Sequence, residues 1–127
     1  IPYRQELVPG TALISGYEST MKILEIEPKV TGLVACNDAN ALAAVGALRT
    51  KGLAVPKDIS VVGFDDIPAA QEAWPPLTTM RVDKLSMGRK SAQRLMQKLA
   101  EGDASSPHQI VFSAEMVVRA STAAPRK

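Results

Sequence analysis

The sequence is poor in cysteine, histidine and aromatic residues, which many catalytic and metal sites use. One cysteine, one histidine and one tryptophan occur among its 127 residues, and aromatic residues make up 4% of them. A single cysteine forms no internal disulfide, which favours a reducing, cytoplasmic location. Its cysteine and histidine lack the clustering of metal ligands, and its glycines form neither a Walker A motif nor a dinucleotide fingerprint. We therefore expect no metal ion and no other cofactor.

Strong net charge and long apolar runs are missing as well. The 15 basic and 13 acidic residues give a net charge of +2, and the basic ones are scattered rather than grouped to grip phosphates. This chain is therefore not expected to bind DNA by itself. No apolar run approaches the ~20 residues of a membrane span, and no signal peptide opens the chain, so no membrane partner is expected. The first residue is Ile1 rather than Met, so the missing signal peptide is uninformative if the chain is a fragment of a longer polypeptide.

The remaining composition, 46% hydrophobic and 22% charged, is that of a folded globular domain. In the first half, helical spacing of apolar residues predicts a helix over residues 11–24. The branched apolar runs 31–36 and 59–64 predict buried strands, the first of them covered on both faces. Asn37 and Asp38 are typical N-cap residues for a helix between these strands. Alternating strands and helices predict an α/β fold with a parallel sheet.

The second half of the chain is interrupted by prolines. There the sequence predicts a short strand over residues 77–82 and a helix opened by Asp83 or Ser86 and ended by Gly102. A final strand is predicted over residues 109–118, and a frayed polar tail follows it.

Polar residues follow two of the predicted strands, as Asn37-Asp38 and as Asp65-Asp66. Ligands of parallel α/β sheets bind at the carboxyl ends of the strands, so these residues predict a polar cleft. A carboxylate there accepts hydrogen bonds from hydroxyl or ring N–H groups, which suits a sugar or a nucleobase. Helix capping is the alternative: it is favoured for Asp38 and Asp66, and for Asp65 it is as well supported as ligand contact.

The sequence offers few candidates for catalytic residues. His108 is expected on a surface loop, and Cys36 is expected to be a buried packing residue because no base accompanies it. A phosphoacceptor site in which Asp65 and Asp66 surround a divalent ion would also need a lysine after a late strand, and Lys84 is poorly placed for that. We therefore expect no enzyme and no catalytic residue.

Three phrases of the sequence together carry a family resemblance. They are ACNDANALAAVGALRTKGLAVPKDISVVGFDDIP, PPLTTMRVDKLSMGRKSAQRLM and EMVVRAST. In this order they resemble the LacI/GalR family of bacterial transcription regulators almost position by position, and the resemblance covers residues 15–122. The combination is highly specific, although ND or GFDD alone recurs in many α/β proteins.

The resemblance implies a periplasmic-binding-protein-like fold of two three-layer α/β lobes, with the ligand in the cleft between them. Residues 1–76 would belong to the C-terminal lobe, 77–106 to a strand and helix that cross into the N-terminal lobe, 107–120 to a returning strand, and 121–127 to a tail. The helix-turn-helix of the family lies upstream and is absent from this chain. DNA would be a partner only through that upstream element.

The resemblance also implies a binding site for a small polar effector. Asp65 falls on the effector-binding carboxylate of the family, and Asn37 falls on a polar cleft position. Thr11, with Ala12 beside it, lies where many members carry an aromatic residue that stacks on the ligand. Val82 stands where a glutamine is common, which makes this cleft less polar than usual.

A homodimer is implied as well. Leu42 and Val45, with Ala73 and Trp74, match the self-association surface of the family, although Leu42 and Val45 fit an ordinary core stripe equally well. Trp74 would either pack across the dimer or plug the lobe crossover. The expected function is effector sensing in a cytoplasmic DNA-binding regulator, with allosteric control of operator binding. The alternative is a periplasmic solute-binding protein of sugar transport, and the VVR-x-ST ending and the PPLTT phrase favour the regulator.

Overall fold

The structure, a computed structural model, describes residues 12–101 and 109–125. Its helices and strands, in chain order, are α1 (Ala12–Ile26), β1 (Gly32–Val34), α2 (Asp38–Thr50), β2 (Ser60–Phe64), α3 (Pro68–Glu72), β3 (Thr78–Arg81), α4 (Lys84–Glu101) and β4 (Glu115–Val117). Among the described residues, no helix combines the length and the apolar character that crossing a bilayer requires.

The chain divides into two compact units. The described residues up to Arg81 and from Met116 onward form the first, and Val82–Glu115 contains the second. The predicted crossover segment 77–106 includes β3, and the assignment of segments to two lobes stays a prediction. In the structure β3 stays in the first unit, where it hydrogen-bonds to β2 along its length.

The sheet of the first unit has the order β1-β2-β3-β4, and β1, β2 and β3 run parallel. In its register Leu33 lies beside Val61, and Val62 lies beside Thr78. Parallel neighbours need a crossover connection, which α2 supplies between β1 and β2 and α3 supplies between β2 and β3. The prediction of an α/β fold with a parallel sheet is confirmed.

The core of the first unit forms where α2 packs on β2. Ala41 and Leu48 of α2, Ile59 and Val61 at β2, and Leu77 before β3 are each at most 1% exposed. The alanines of α2 bring the helix close to the sheet, and the larger side chains fill the space between them. This packing holds the carboxyl ends of the strands in a fixed relation to the start of α2.

Helix α1 packs against α2, and Gly16 lies at the closest approach. A Cβ at Gly16 would lie 2.6 Å from the carbonyl oxygen of Asn40 and 2.8 Å from its Cα. Those distances are shorter than real Cβ contacts, so this position of α1 admits no side chain without a shift of backbone.

Two predictions about strands are wrong. β1 is not covered on both faces, because Val34 is 85% exposed. The last strand is limited to Glu115–Val117 instead of residues 109–118. Residues 109–114 precede the point at which the chain pairs beside β3, and a strand needs such a partner for its backbone groups.

In the second unit, α4 begins after Asp83, as predicted, and the Ser86 N–H donates to an Asp83 carboxylate oxygen at 2.9 Å. This is the hydrogen bond of an N-cap. Leu85, Leu95 and Leu99 of this helix are 73%, 60% and 72% exposed. The predicted helix end at Gly102 lies outside the described residues.

Candidate functional site

The carboxyl ends of β1 and β2 lie at one edge of the sheet, and the polar residues that follow them meet there, as predicted. The Ile67 N–H, directly after the Asp65-Asp66 pair, donates to a carboxylate oxygen of Asp38 at 2.9 Å. The Asn37-Asp38 and Asp65-Asp66 pairs are therefore neighbours in space, although Ile67 and Asp38 lie 29 positions apart in the chain.

Asp65 and Asp66 form a turn with unusual backbone geometry. Their φ angles are 113° and 51°, in the left-handed region that residues with a side chain rarely adopt. The Asp65 N–H donates to the Met80 carbonyl at 2.8 Å, which ties the turn to the end of β3. Strain of this kind costs about 1–3 kcal/mol per residue, and it persists only where the surroundings hold it.

Asp66 is held by two arginines. One of its oxygens lies 2.6 Å from Nε of Arg81, and the other lies 2.6 Å from an Nη of Arg119. The other Nη of Arg119 donates to the Leu77 carbonyl at 2.8 Å, so two contacts hold its guanidinium group. The side chains of Asp66 and Arg119 are 11% and 13% exposed, whereas that of Arg81 is 51% exposed.

These contacts set the charge of the Asp66 carboxyl. The hydrogen bond from Arg119 is the largest cause that lowers the pKa of Asp66 below its ordinary value of 3.8, and Arg81 adds to it, while burial partly opposes both. Asp66 is therefore an ionised, ion-paired residue. The predicted role of Asp66 as a helix cap is wrong, since α3 has Ile67 as its N-cap and no side-chain cap hydrogen bond.

Asp38 is fully buried at the start of α2. Its carboxylate accepts the Thr79 hydroxyl at 2.5 Å and the Ile67 N–H at 2.9 Å. A Cβ at Gly63 of β2 would overlap the same carboxylate, so that strand position has no room for a side chain. The prediction that Asp38 caps a helix is wrong: it is the first residue of α2, and its carboxylate joins α2 to two other segments.

Asn37 is the N-cap of α2, as predicted, and its side-chain oxygen accepts the Asn40 N–H at 2.8 Å. The Asn40 amide donates to Sγ of Cys36 at 3.0 Å. Cys36 is exposed, so the prediction of a buried packing cysteine is wrong. It follows β1 at the edge of the described sheet, where no strand covers it.

The other predicted site residues lie as follows. Thr11 falls outside the described residues, as does His108, and Ala12 is the first residue of α1. Val82, at the end of β3, begins the second unit. No group of three or more Asp, Glu, His or Cys residues suited to hold a metal ion occurs in the described part of the chain.

The residues predicted at a dimer surface differ in exposure. Leu42 and Val45 are half-buried and pack against the core of the first unit. Ala73 is half-buried, and Trp74, which precedes two prolines, is 91% exposed.

Sequence reasoning missed Arg81, Arg119, Thr79 and Ser121, which hold the edge of the sheet together. Ser121 is fully buried, accepts the Thr78 N–H at 2.8 Å and donates to the Val61 carbonyl at 2.6 Å. For the two arginines, the sequence contained one signal, which is their position. Each one ends or closely follows an apolar strand, as the acids do, so opposite charges arrive at the same edge.

A parallel α/β lobe with polar residues at the carboxyl ends of its strands is typical of ligand-binding α/β proteins. The chain belongs to the periplasmic binding protein-like domain family, whose model matches residues 4–122. Its relatives in that family are regulators of the LacI type.

One relative is the HTH-type transcriptional repressor PurR of Haemophilus influenzae (strain PittEE), 43% identical over 88 residues, or 69% of this chain and 26% of that protein. The solved structure of the transcriptional regulator CelR in complex with cellobiose is 33% identical, with a TM-score of 0.81 over 86% of this chain and 33% of that one. The Lac repressor dimer bound to operator and the anti-inducer ONPF is 37% identical, with a TM-score of 0.76 over 87% of this chain and 38% of that one. The chain thus spans 26% to 38% of the length of these three proteins.

Proposed function

We propose that this chain is the effector-sensing part of a DNA-binding transcriptional regulator. A small polar metabolite, a sugar or a nucleobase-like compound, binds at the carboxyl edge of the sheet, and Asp65 is its principal carboxylate. Binding shifts the regulator between two states of different operator affinity, which requires only that the effector bind the two states unequally. Such a regulator acts in the cytoplasm.

The backbone of Asp65 is the observation that carries this proposal. Its φ of 113° is unfavourable for any residue with a side chain, yet the turn is held by a hydrogen bond to Met80 and by the ion pairs of its neighbour Asp66. Strained residues cluster at binding sites, because the strain orients a group that a relaxed turn would not present. Asp65 is half-buried at the end of the sheet where α/β folds bind ligands.

The comparisons support the regulator over the solute-binding alternative. The relative PurR is a transcriptional repressor, CelR is a regulator seen with cellobiose, and the Lac repressor is seen as a dimer on operator DNA. By analogy, this chain is the part of a homodimer that leaves DNA contact to an upstream segment. The dimer surface would be formed by Trp74, which is exposed, and by the half-buried Ala73, Leu42 and Val45.

The test is calorimetric titration of the full-length polypeptide with a panel of cellobiose, maltose, glucose, adenine, guanine and hypoxanthine. At least one sugar or nucleobase should bind, and Asp65→Asn should weaken its binding about tenfold or more, since hydrogen bonds to a charged acceptor contribute ~1.5–3 kcal/mol. Asn37→Ala should weaken it less.

Glu72→Gln is the matched control, because Glu72 is an exposed acid of α3 whose replacement removes the same charge a few residues away. Its isotherm should equal that of the parent. Failure of every compound in the panel to bind would refute the ligand class, and an unchanged isotherm for Asp65→Asn would refute the role of Asp65.

A further inference from the structure

The carboxylate of Asp38 is fully buried and joins segments that are distant in the chain. It is 0% exposed, and the residues that it joins lie 29 and 41 positions further along the chain. Burying a carboxylate is unfavourable unless its oxygens are well satisfied by hydrogen bonds. The Asp38 carboxylate meets this condition with two partners, the Thr79 hydroxyl and the Ile67 N–H.

The second partner of Asp38 points to its role. This partner is the backbone N–H of Ile67, which closes the strained Asp65-Asp66 turn. The turn is held at its start by the hydrogen bond from Asp65 to Met80, and at its end by the bond from Ile67 to Asp38. Asp38 is thus the contact through which α2 restrains a turn that follows β2.

Gly63 adds an independent observation. It lies in β2 two residues before Asp65, and a Cβ there would overlap the Asp38 carboxylate and come within 3.0 Å of Leu77. The strand therefore leaves the space of a side chain to a carboxylate that comes from another element. The carboxylate reaches the turn through that space.

We propose that Asp38 is a positioning residue for Asp65: its buried carboxylate, through the Ile67 N–H, keeps the Asp65-Asp66 turn in the conformation that presents Asp65 to the effector. Asp38 itself touches no ligand. The inference rests on the proposed function for the effector, whereas the restraint of the turn by Asp38 is a property of the protein alone.

The experiment compares three variants of the full-length polypeptide. Asp38→Ala removes both hydrogen bonds, and Thr79→Val removes the Thr79 bond but leaves the one from Ile67. Asp38→Asn keeps a similar shape, because its amide oxygen accepts the Ile67 N–H while its NH₂ donates to the Thr79 hydroxyl, which rotates to accept. The readouts are hydrogen exchange of the peptide that covers residues 64–70, and titration with the panel of sugars and nucleobases named above.

Asp38→Ala should speed exchange of the Ile67 amide roughly ten- to hundredfold, as expected when a hydrogen bond to a charged group is lost. It should also weaken binding of the panel compound that the parent binds by about tenfold or more. Thr79→Val should change neither readout beyond its effect on global stability, and Asp38→Asn should restore most of both. Equal effects of Asp38→Ala and Thr79→Val would overturn the proposal.

Two further outcomes separate this inference from the proposed function. If exchange of the turn rises in Asp38→Ala while affinity stays that of the parent, and Asp65→Asn does lose affinity, positioning by Asp38 is refuted and the role of Asp65 stands. If Asp38→Ala does not fold, hydrogen exchange of the parent protein tests the restraint of the turn. Its Ile67 amide must exchange slowly although it lies between secondary-structure elements, and fast exchange would overturn the restraint.

Discussion

Ser121→Ala tests how the C-terminal segment holds the sheet. Ser121 is fully buried, and its hydroxyl joins two neighbouring strands: it accepts the Thr78 N–H at 2.8 Å and donates to the Val61 carbonyl at 2.6 Å. Alanine removes the hydroxyl and leaves a buried donor and a buried acceptor unsatisfied. Each unsatisfied group costs about 1–3 kcal/mol, so we expect the free energy of unfolding to fall by about 2–4 kcal/mol.

Ser60→Ala is the matched control. The Ser60 hydroxyl also bonds to the backbone of this segment: it donates to the Ala123 carbonyl at 3.2 Å and accepts the Ala123 N–H at 3.0 Å. Both of these hydrogen bonds are exposed to solvent. Water replaces these bonds, so the expected cost is under about 1 kcal/mol. The two substitutions delete the same atoms and the same number of hydrogen bonds, and they differ in burial.

The measurement is equilibrium unfolding in urea followed by far-ultraviolet circular dichroism. With a slope of about 1–3 kcal/mol per molar urea, a loss of about 3 kcal/mol lowers the midpoint of Ser121→Ala by roughly 1–3 M. The midpoint of Ser60→Ala should move by a fraction of that. Equal shifts for the two variants would refute the argument that burial makes the Ser121 contacts strong.

Three further predictions follow from the close contacts and the ion pairs. Gly16→Ala should lower the thermal midpoint, because the clash of its Cβ with the Asn40 backbone costs about 1–3 kcal/mol, more than the ~1 kcal/mol that alanine gains in a helix; a higher midpoint would contradict the contact. Gly63→Ala should destabilise by about 1–3 kcal/mol, and less when combined with Asp38→Ala, as a double-mutant cycle in urea would reveal. Because the folded state lowers the pKa of Asp66, its contribution to stability is present above pH 3.8 and is lost as the pH falls through the lower folded pKa; the stabilities of the parent and of Asp66→Asn, measured from pH 6 to pH 2, should converge at the acid end.

Elements made by local patterns were predictable from the sequence. Helical spacing located α1, the start and stop residues located α4, and the apolar runs located β1 and β2 to within a few residues. The N-cap at Asn37 was predictable because its partner, Asn40, is three residues away. In each case the chemistry that decides the structure lies within a few residues of chain.

Contacts between distant residues were not predictable in this way. Thr79 lies 41 residues from Asp38, and Arg119 lies 53 residues from Asp66, so no local window contains both partners. A local reading therefore assigned both acids to helix caps, the commonest use of an acid before a helix. The error over Val34 has a similar cause, because an apolar run predicts a strand without telling whether distant segments cover both of its faces.

The same contacts change what a cluster of polar residues at a sheet edge implies about ligands. Asn37 accepts a backbone N–H of its own helix. Asp38 is buried and accepts the Ile67 N–H, and Asp66 forms ion pairs with two arginines. These contacts of Asn37, Asp38 and Asp66 shape the edge. We propose Asp65 as the principal effector carboxylate because its backbone is strained between anchored neighbours.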